Sequence, residues 1–262
     1  MTRKLKRTRA FELTLEITDE RFLRPPHDFQ RNWLLNRFLR EAADDLQALD
    51  ALAARFVPGG ERTPAGDLRH GALSDEQIME DWQLPLMEAM AEAVSRAGGD
   101  VLEVGFGRGV SAGMIQRRGV RSHTIVECNP TIVERFARWR GDFPDRDIRV
   151  VEGLWQDHIG ELGQFDAIFF HTYPLDEDES VELLARSVTF AEHFFATAAA
   201  HLRPGGVFTY LSGEMDSVGR AHQRRLFEHF SSIRVRRVAL DLPADVRDTW
   251  WADTMAVIEA ER

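Results

Sequence analysis

An α/β fold built on a mostly parallel sheet, with helices on both faces, is what this 262-residue sequence predicts, and three features carry the prediction. Short, nearly continuous apolar runs recur from Val101 to Ala260, helical segments separate most of them, and the first run closes on a glycine-rich loop that opens a helix. Strands buried on both faces read as apolar runs, and alternating β and α units lay such strands parallel.

Ahead of that pattern, Phe11–Ile17 alternates Phe11, Leu13, Leu15 and Ile17 with polar residues, the period of a half-buried strand. Such a strand needs a partner, because an unpaired apolar edge invites aggregation, and the sequence leaves open whether that partner is in the same chain. Apolar residues then recur at helical spacing from Asp28 to Phe56, through Phe29, Trp33, Leu34, Phe38, Leu46 and Leu49, as one long or two short helices. Val57–Gly66 is rich in Gly and Pro and reads as a linker. A further helix is expected over Asp75–Ala97, with Ser74 as N-cap and Gly98-Gly99 as its stop.

The expected strands are Val101–Phe106, His123–Cys128, Ile148–Gly153, Phe165–Phe170, Gly206–Leu211, Arg234–Leu240 and Thr254–Ala260. Only the irregular stretch DLPADVRDTWWAD joins the last two, which points to an antiparallel, hairpin-like end of the sheet. Residues 1–70 therefore form an extension, a strand followed by helices, suited to a lid, a dimer interface or a docking surface. Residues 71–262 form the main domain.

A net charge of -10 argues against a nucleic-acid partner, because phosphate binding needs a concentrated basic surface. The basic cluster Arg3, Lys4, Lys6, Arg7 and Arg9 has no apolar run behind it and reads as a solvated, partly disordered tract. Cys128 is the single cysteine, which excludes an intrachain disulfide and multi-cysteine metal sites and makes the reducing cytoplasm the default compartment. No stretch approaches the ~20 apolar residues of a membrane helix, so no membrane partner is expected. The acidic run Asp176–Ser180 reads as a solvated loop, no metal site is expected, and His222 and His229 read as surface residues.

The loop Glu103–Gly109, EVGFGRG, lets the backbone turn at Gly105 and Gly107 and approach a ligand at a helix N-terminus. Glu127 closes the next strand about 20 residues later, where an acid accepts hydrogen bonds from ribose hydroxyls. A dinucleotide loop would place a glycine at position 110, which is Val110, and Glu103 would repel a pyrophosphate. Beside a sulfonium cofactor, Glu103 could instead neighbour an ammonium group.

E-x-G-x-G with a following acid resembles the class I S-adenosylmethionine-dependent methyltransferases, which implies a Rossmann-like fold with a seven-stranded sheet. Further stretches narrow the resemblance: Met79–Met87 (MEDWQLPLM), Val126–Asn129, Glu152–Asp157 (EGLWQD), FDAIFFHTYPL, Arg203–Tyr210 and Leu242–Arg247. In this order they resemble guanidinoacetate N-methyltransferase and related arginine N-methyltransferases, from Met79 to near the C-terminus. The resemblance implies S-adenosyl-L-methionine as cofactor. It sets Gly105 and Gly107 beside the methionine part, Glu127 on the ribose with Cys128 next to it, and Gly153, Leu154 and Trp155 against the adenine. It also brings Phe106, Met87 and Thr172 to the methyl-donor pocket. An aromatic face of Phe106, Tyr173 or Trp155 would stabilise a nearby cation.

In that family a carboxylate stands where this chain has His171, giving D-T-Y-P-L, and a glutamate follows the tryptophan of M-E-x-W-E where this chain has Gln83. Those two acids hold the substrate guanidinium. A guanidinium keeps its proton at any ordinary pH, so its burial without them leaves an uncompensated charge. Guanidinoacetate is therefore not the expected acceptor. Arginine stays open only if Asp81, Glu214 or Asp216 reaches the site. The expected activity is N-methylation of a small amine or amino-acid-like acceptor, with His171 positioning the nucleophile and acting as base, Gln83 adding a neutral hydrogen bond and Tyr173 alongside. A peptide or protein side chain, arginine included, is the rival acceptor, and O-methylation through His171 a further one. Trp250-Trp251 either closes the pocket or packs on the sheet. A homodimer is expected, which a sedimentation mass checks.

Overall fold

The structure, a computed structural model, describes residues 2–6, 12–16, 71–175, 183, 187–243 and 252–262. The chain divides into two compact units, one holding Met1–Thr63 with Leu184–Arg186 and Leu242–Ala252, the other the remainder. In the first, β1 (Thr2–Lys6) pairs antiparallel with β2 (Glu12–Glu16), Leu5 opposite Leu13. The alternating segment thus has its partner within the chain, and the basic tract, expected to be partly disordered, is a strand from Thr2 to Lys6. The helices expected over 28–56, the linker, the 176–180 acidic run and Trp250-Trp251 lie outside the described residues.

The second unit opens with α1 (Asp75–Ile78). Ser74 caps it: its hydroxyl accepts the Gln77 N–H while the Gln77 side chain accepts the Ser74 N–H. The single helix expected over 75–97 is broken here. Met79 is extended, Asp81–Gln83 form one 3-10 turn, and α2 runs only from Leu84 to Ser95. Pro85 is the physical reason: it lacks the N–H that a helix interior needs and fits only the first turn.

Seven strands follow in spatial order β5-β4-β3-β6-β7-β9-β8. They are β3 (Asp100–Val104), β4 (Ser122–Glu127), β5 (Ile148–Glu152), β6 (Phe165–Phe170), β7 (Leu202–Tyr210), β8 (Ser232–Ala239) and β9 (Thr254–Glu261). The first five are parallel, and β9 runs antiparallel to both β7 and β8. The hairpin-like end is therefore present, with β9 inserted between its neighbours.

Between the strands lie α3 (Val110–Arg118), α4 (Pro130–Trp139), α5 (Trp155–His158), α6 (Phe195–His201) and α7 (Arg220–Phe227). Leu102, Ile168, Phe208 and Ile258 face α6 and α7 in one core. Phe106, Ile125, Ile148 and Phe136 pack in another beside α3 and α4, while α2 lies along β6, β7 and β9. Chain reversal between β3 and its neighbours β4 and β6 leaves a crevice at the carboxyl ends of the strands, where ligands bind in open α/β sheets.

Candidate active site

Strand β3 delivers the glycine loop into that crevice. Gly105, Gly107 and Gly109 all have positive φ, 91°, 52° and 75°. A Cβ on Gly105 would stand 2.3 Å from the His171 carbonyl oxygen, so this position requires glycine for space as well as for conformation. Glu127, at the end of β4, is nearly buried. Its Oε2 accepts the Phe106 N–H at 2.9 Å and approaches the Gly107 N–H at 3.5 Å, while Oε1 accepts the Asn129 N–H at 2.9 Å. One carboxylate thereby fixes the loop and still borders open space.

That space is a cleft of two lobes. The larger encloses about 810 Å³, counting its open mouth, and runs along Ile78, Met79, Gly105–Arg108, Ser111 and His171. The smaller lies against Gly153, Leu154, Trp155, Phe190 and His193. Gly105, Glu127, Cys128, Thr172 and Tyr173 border both. An S-adenosylmethionine would fit this plan, with Glu127 at the junction to hold the ribose, Trp155 to border the adenine and the glycine cradle to take the methionyl group. Trp155 serves the wall and the core together, because its ring meets Phe194 edge-on at 4.8 Å.

At the carboxyl end of β6, His171 is pinned by its own N–H, which donates to Val104 O at 3.1 Å. Its ring is partly buried, and that burial lowers its pKa to about 4. The Tyr173 hydroxyl lies 3.4 Å from His171 Nε2. Desolvation pushes the Tyr173 pKa up and the neighbouring Gln83 side chain pulls against it, while Tyr173 keeps 40% of its surface exposed. Gln83 is 8% exposed, and among the described residues its Oε1 has no hydrogen-bond partner. Gln83, Tyr173 and His171 thus stand as neutral neighbours.

Of the expected site residues, Gly105, Gly107, Phe106, Glu127, Cys128, Gly153, Leu154, Trp155, His171, Thr172 and Tyr173 all border the cleft. Gln83 reaches it through Tyr173. Three depart from expectation. Glu103 is fully buried, accepts the Ser111 hydroxyl and stands 2.9 Å from His123 Nε2; it borders neither lobe. Met87, 1% exposed, faces the core because α2 turns it inward. Phe106 borders the cleft, but it is only 2% exposed and its ring packs against Phe136 and Trp139 at 5.3 and 5.2 Å in the core, which leaves little of it for a cation.

The other acids considered for a guanidinium are also engaged. Asp81 pairs with Arg108 at 2.7 Å, Glu214 with His222 Nδ1 at 2.9 Å, and Asp216 accepts from Ser217 at 3.1 Å. Among the described residues Glu127 is the one acid bordering either lobe. His222, expected at the surface, is buried: its Nε2 accepts the Tyr210 hydroxyl at 2.6 Å and its ring stacks on Phe195. Sequence reasoning missed Arg108, though it sits inside the quoted loop, and His193, which carried no local signal.

A profile of the guanidinoacetate N-methyltransferase family matches residues 66–231. Protein arginine N-methyltransferase 2 of Eremothecium gossypii is 27% identical over 146 residues, covering 52% of this chain and 32% of that protein. Its counterpart in Saccharomyces cerevisiae is 25% identical over 147 residues, with 52% and 32% covered. The chain thus spans about a third of the length of these relatives. Among solved structures, N-methyltransferase NodS of Bradyrhizobium japonicum WM9, in complex with S-adenosyl-L-homocysteine, superposes with a TM-score of 0.51. It is 13% identical and covers 73% of this chain and 93% of its own, a likeness of fold. The glycine cradle, the acid on β4 and the profile match over more than half of the chain agree: the chain belongs to the guanidinoacetate N-methyltransferase family, S-adenosylmethionine-dependent methyltransferases of class I fold.

Proposed function

We propose that this protein methylates a nitrogen of a small amine or amino-acid-like acceptor, and that guanidinoacetate is not its substrate. The observation that carries this reading is the neutral neighbours Gln83, Tyr173 and His171, where the family resemblance implies two carboxylates. Bound at the cleft, the cofactor supplies a methyl group already activated on a sulfonium, so the chain's task is to align the nucleophile and exclude water.

With its pKa near 4, His171 is neutral at pH 7 and has a lone pair for an acceptor N–H. The 3.4 Å contact from Tyr173 is long and weak, and readily exchanged for that N–H. The same apolar surroundings favour the neutral form of an amine, the form that attacks. As the N–C bond forms and the C–S bond breaks, the nitrogen takes up the positive charge that the sulfur gives up. An imidazole of such low proton affinity first orients the nucleophile. As a base it serves only nitrogens whose methylated form is itself strongly acidic, such as those of aromatic rings; a simple amine loses its proton to water afterwards.

A second reading has support in the relatives' name, protein arginine N-methyltransferase 2: transfer to a protein side chain, with residues 1–70 recognising the carrier. A cytoplasmic location and a homodimer belong to this proposal as well, the first resting on the lone Cys128. Incubation of cell extract with isotopically labelled cofactor, then separation of products by size, tests the assignment. Label in the small-molecule fraction is expected. Label confined to protein favours the second reading, and transfer to guanidinoacetate at the rate of the best acceptor overturns the first.

A further inference from the structure

Arg108 follows the second glycine of the loop and borders the larger lobe, where it is the one arginine or lysine among the described residues. Its Nη1 donates to Met79 O at 2.8 Å and to Asp81 Oδ1 at 2.7 Å, and its Nε lies 3.8 Å from Asp75 Oδ2. Asp75 is shared with Arg135 at 2.6 Å. Both aspartates are more than half exposed, so water screens much of their pull on Arg108. Among the described residues the Nη2 edge makes no hydrogen bond, while the Nη1 edge ties the segment carrying Ile78 and Met79 over the lobe.

This observation deepens the reading of the cleft as a cofactor site and rests on it. The methionyl end of the cofactor carries an α-carboxylate. Glu103, the acid of the loop, is turned away into the core, so the lobe offers that end a cation and the uncapped N-terminus of α3, whose N-cap is Gly109. We propose that Arg108 binds the α-carboxylate of the cofactor's methionyl group through its Nη2 edge, while its Nη1 edge holds the Ile78–Asp81 wall closed. Arg108 thereby distinguishes ligands that carry the amino-acid tail from those that carry only the adenosine part.

Calorimetric titration with S-adenosylhomocysteine and with 5′-methylthioadenosine, which lacks the α-amino-acid group, tests this on the full chain. In Arg108→Ala, S-adenosylhomocysteine weakens by roughly 10- to 100-fold more than methylthioadenosine, which shifts only as far as the loosened wall alone moves it. Arg108→Lys recovers part of the loss. Asp81→Asn, which loosens the wall and keeps the cation, shifts both ligands together. Equal weakening of the two ligands in Arg108→Ala would reduce the residue to a fastener of the wall and overturn the proposal, as would unchanged S-adenosylhomocysteine affinity. Wild-type protein that binds neither ligand would overturn the cofactor assignment itself, a separate failure.

Discussion

Acidification from pH 7.5 to 5 titrates His171 in the unfolded chain but not in the folded one, and the size of the effect follows from its pKa. In the unfolded chain the imidazole has its ordinary value of 6.5; in the fold, burial lowers it to about 4. The unfolded state therefore binds more protons between these values, so stability present above pH 6.5 is lost as pH falls toward 4. For two states with those values, the loss at pH 5 is about 2 kcal/mol, and the open side of the ring brings it to roughly 1–2 kcal/mol. Urea unfolding of wild type and His171→Gln at both pH values isolates the term, because the other groups titrate alike in both proteins. Wild type should lose about 1–2 kcal/mol more than the variant on going to pH 5. Parallel losses in the two proteins would show that His171 is solvated, and the argument for a neutral, orienting imidazole would fail with it.

Gly105→Ala forces a side chain onto φ 91° and against the His171 carbonyl at 2.3 Å, a backbone contact that no rotamer relieves. A stability loss of about 2–4 kcal/mol in urea titration is expected, and a loss under about 1 kcal/mol would refute the tight approach of β3 to β6. His222→Ala removes the partner of the buried Tyr210 hydroxyl and opens a cavity beside Phe195. A cost of about 3–5 kcal/mol, read as a lowered Tm, is expected, and an unchanged Tm would place His222 at the surface after all.

The strand pattern was legible because burial on both faces writes itself as apolar runs; Phe165–Phe170 is the expected strand end to end. The break at Met79 was legible in principle, since Pro85 lies six residues later and tolerates only a first turn. His222 was misread from its charged neighbours, although His222, Leu226 and Phe230 recur every fourth residue and mark the buried stripe of α7 and its continuation. For Met87 and Phe106 the resemblance, and for Glu103 the loop motif, supplied a position in the chain without a direction. In β3 the side chain of Glu103 follows the strand alternation toward Ser111 and His123, away from the crevice. Arg108 and His193 border the cleft through contacts that only the folded chain brings together.

Substitution of two acids by histidine and glutamine acts asymmetrically on the choice of acceptor. A guanidinium brought into the site arrives charged, and each missing partner leaves buried charge uncompensated at a cost of about 3–5 kcal/mol, a hundredfold or more in affinity. A neutral nitrogen incurs no such cost; it needs a lone pair to receive its N–H, which a neutral His171 presents. Had only one acid been replaced, the other could still have held the guanidinium by a single charged bond. With the two acids that the family resemblance implies both absent, and Asp81, Glu214 and Asp216 engaged elsewhere, the proposed acceptor is one that arrives neutral. Restoring the acids in a Gln83→Glu, His171→Asp protein reverses that bias only if the charge on the acceptor, rather than the shape of the cleft, sets the choice.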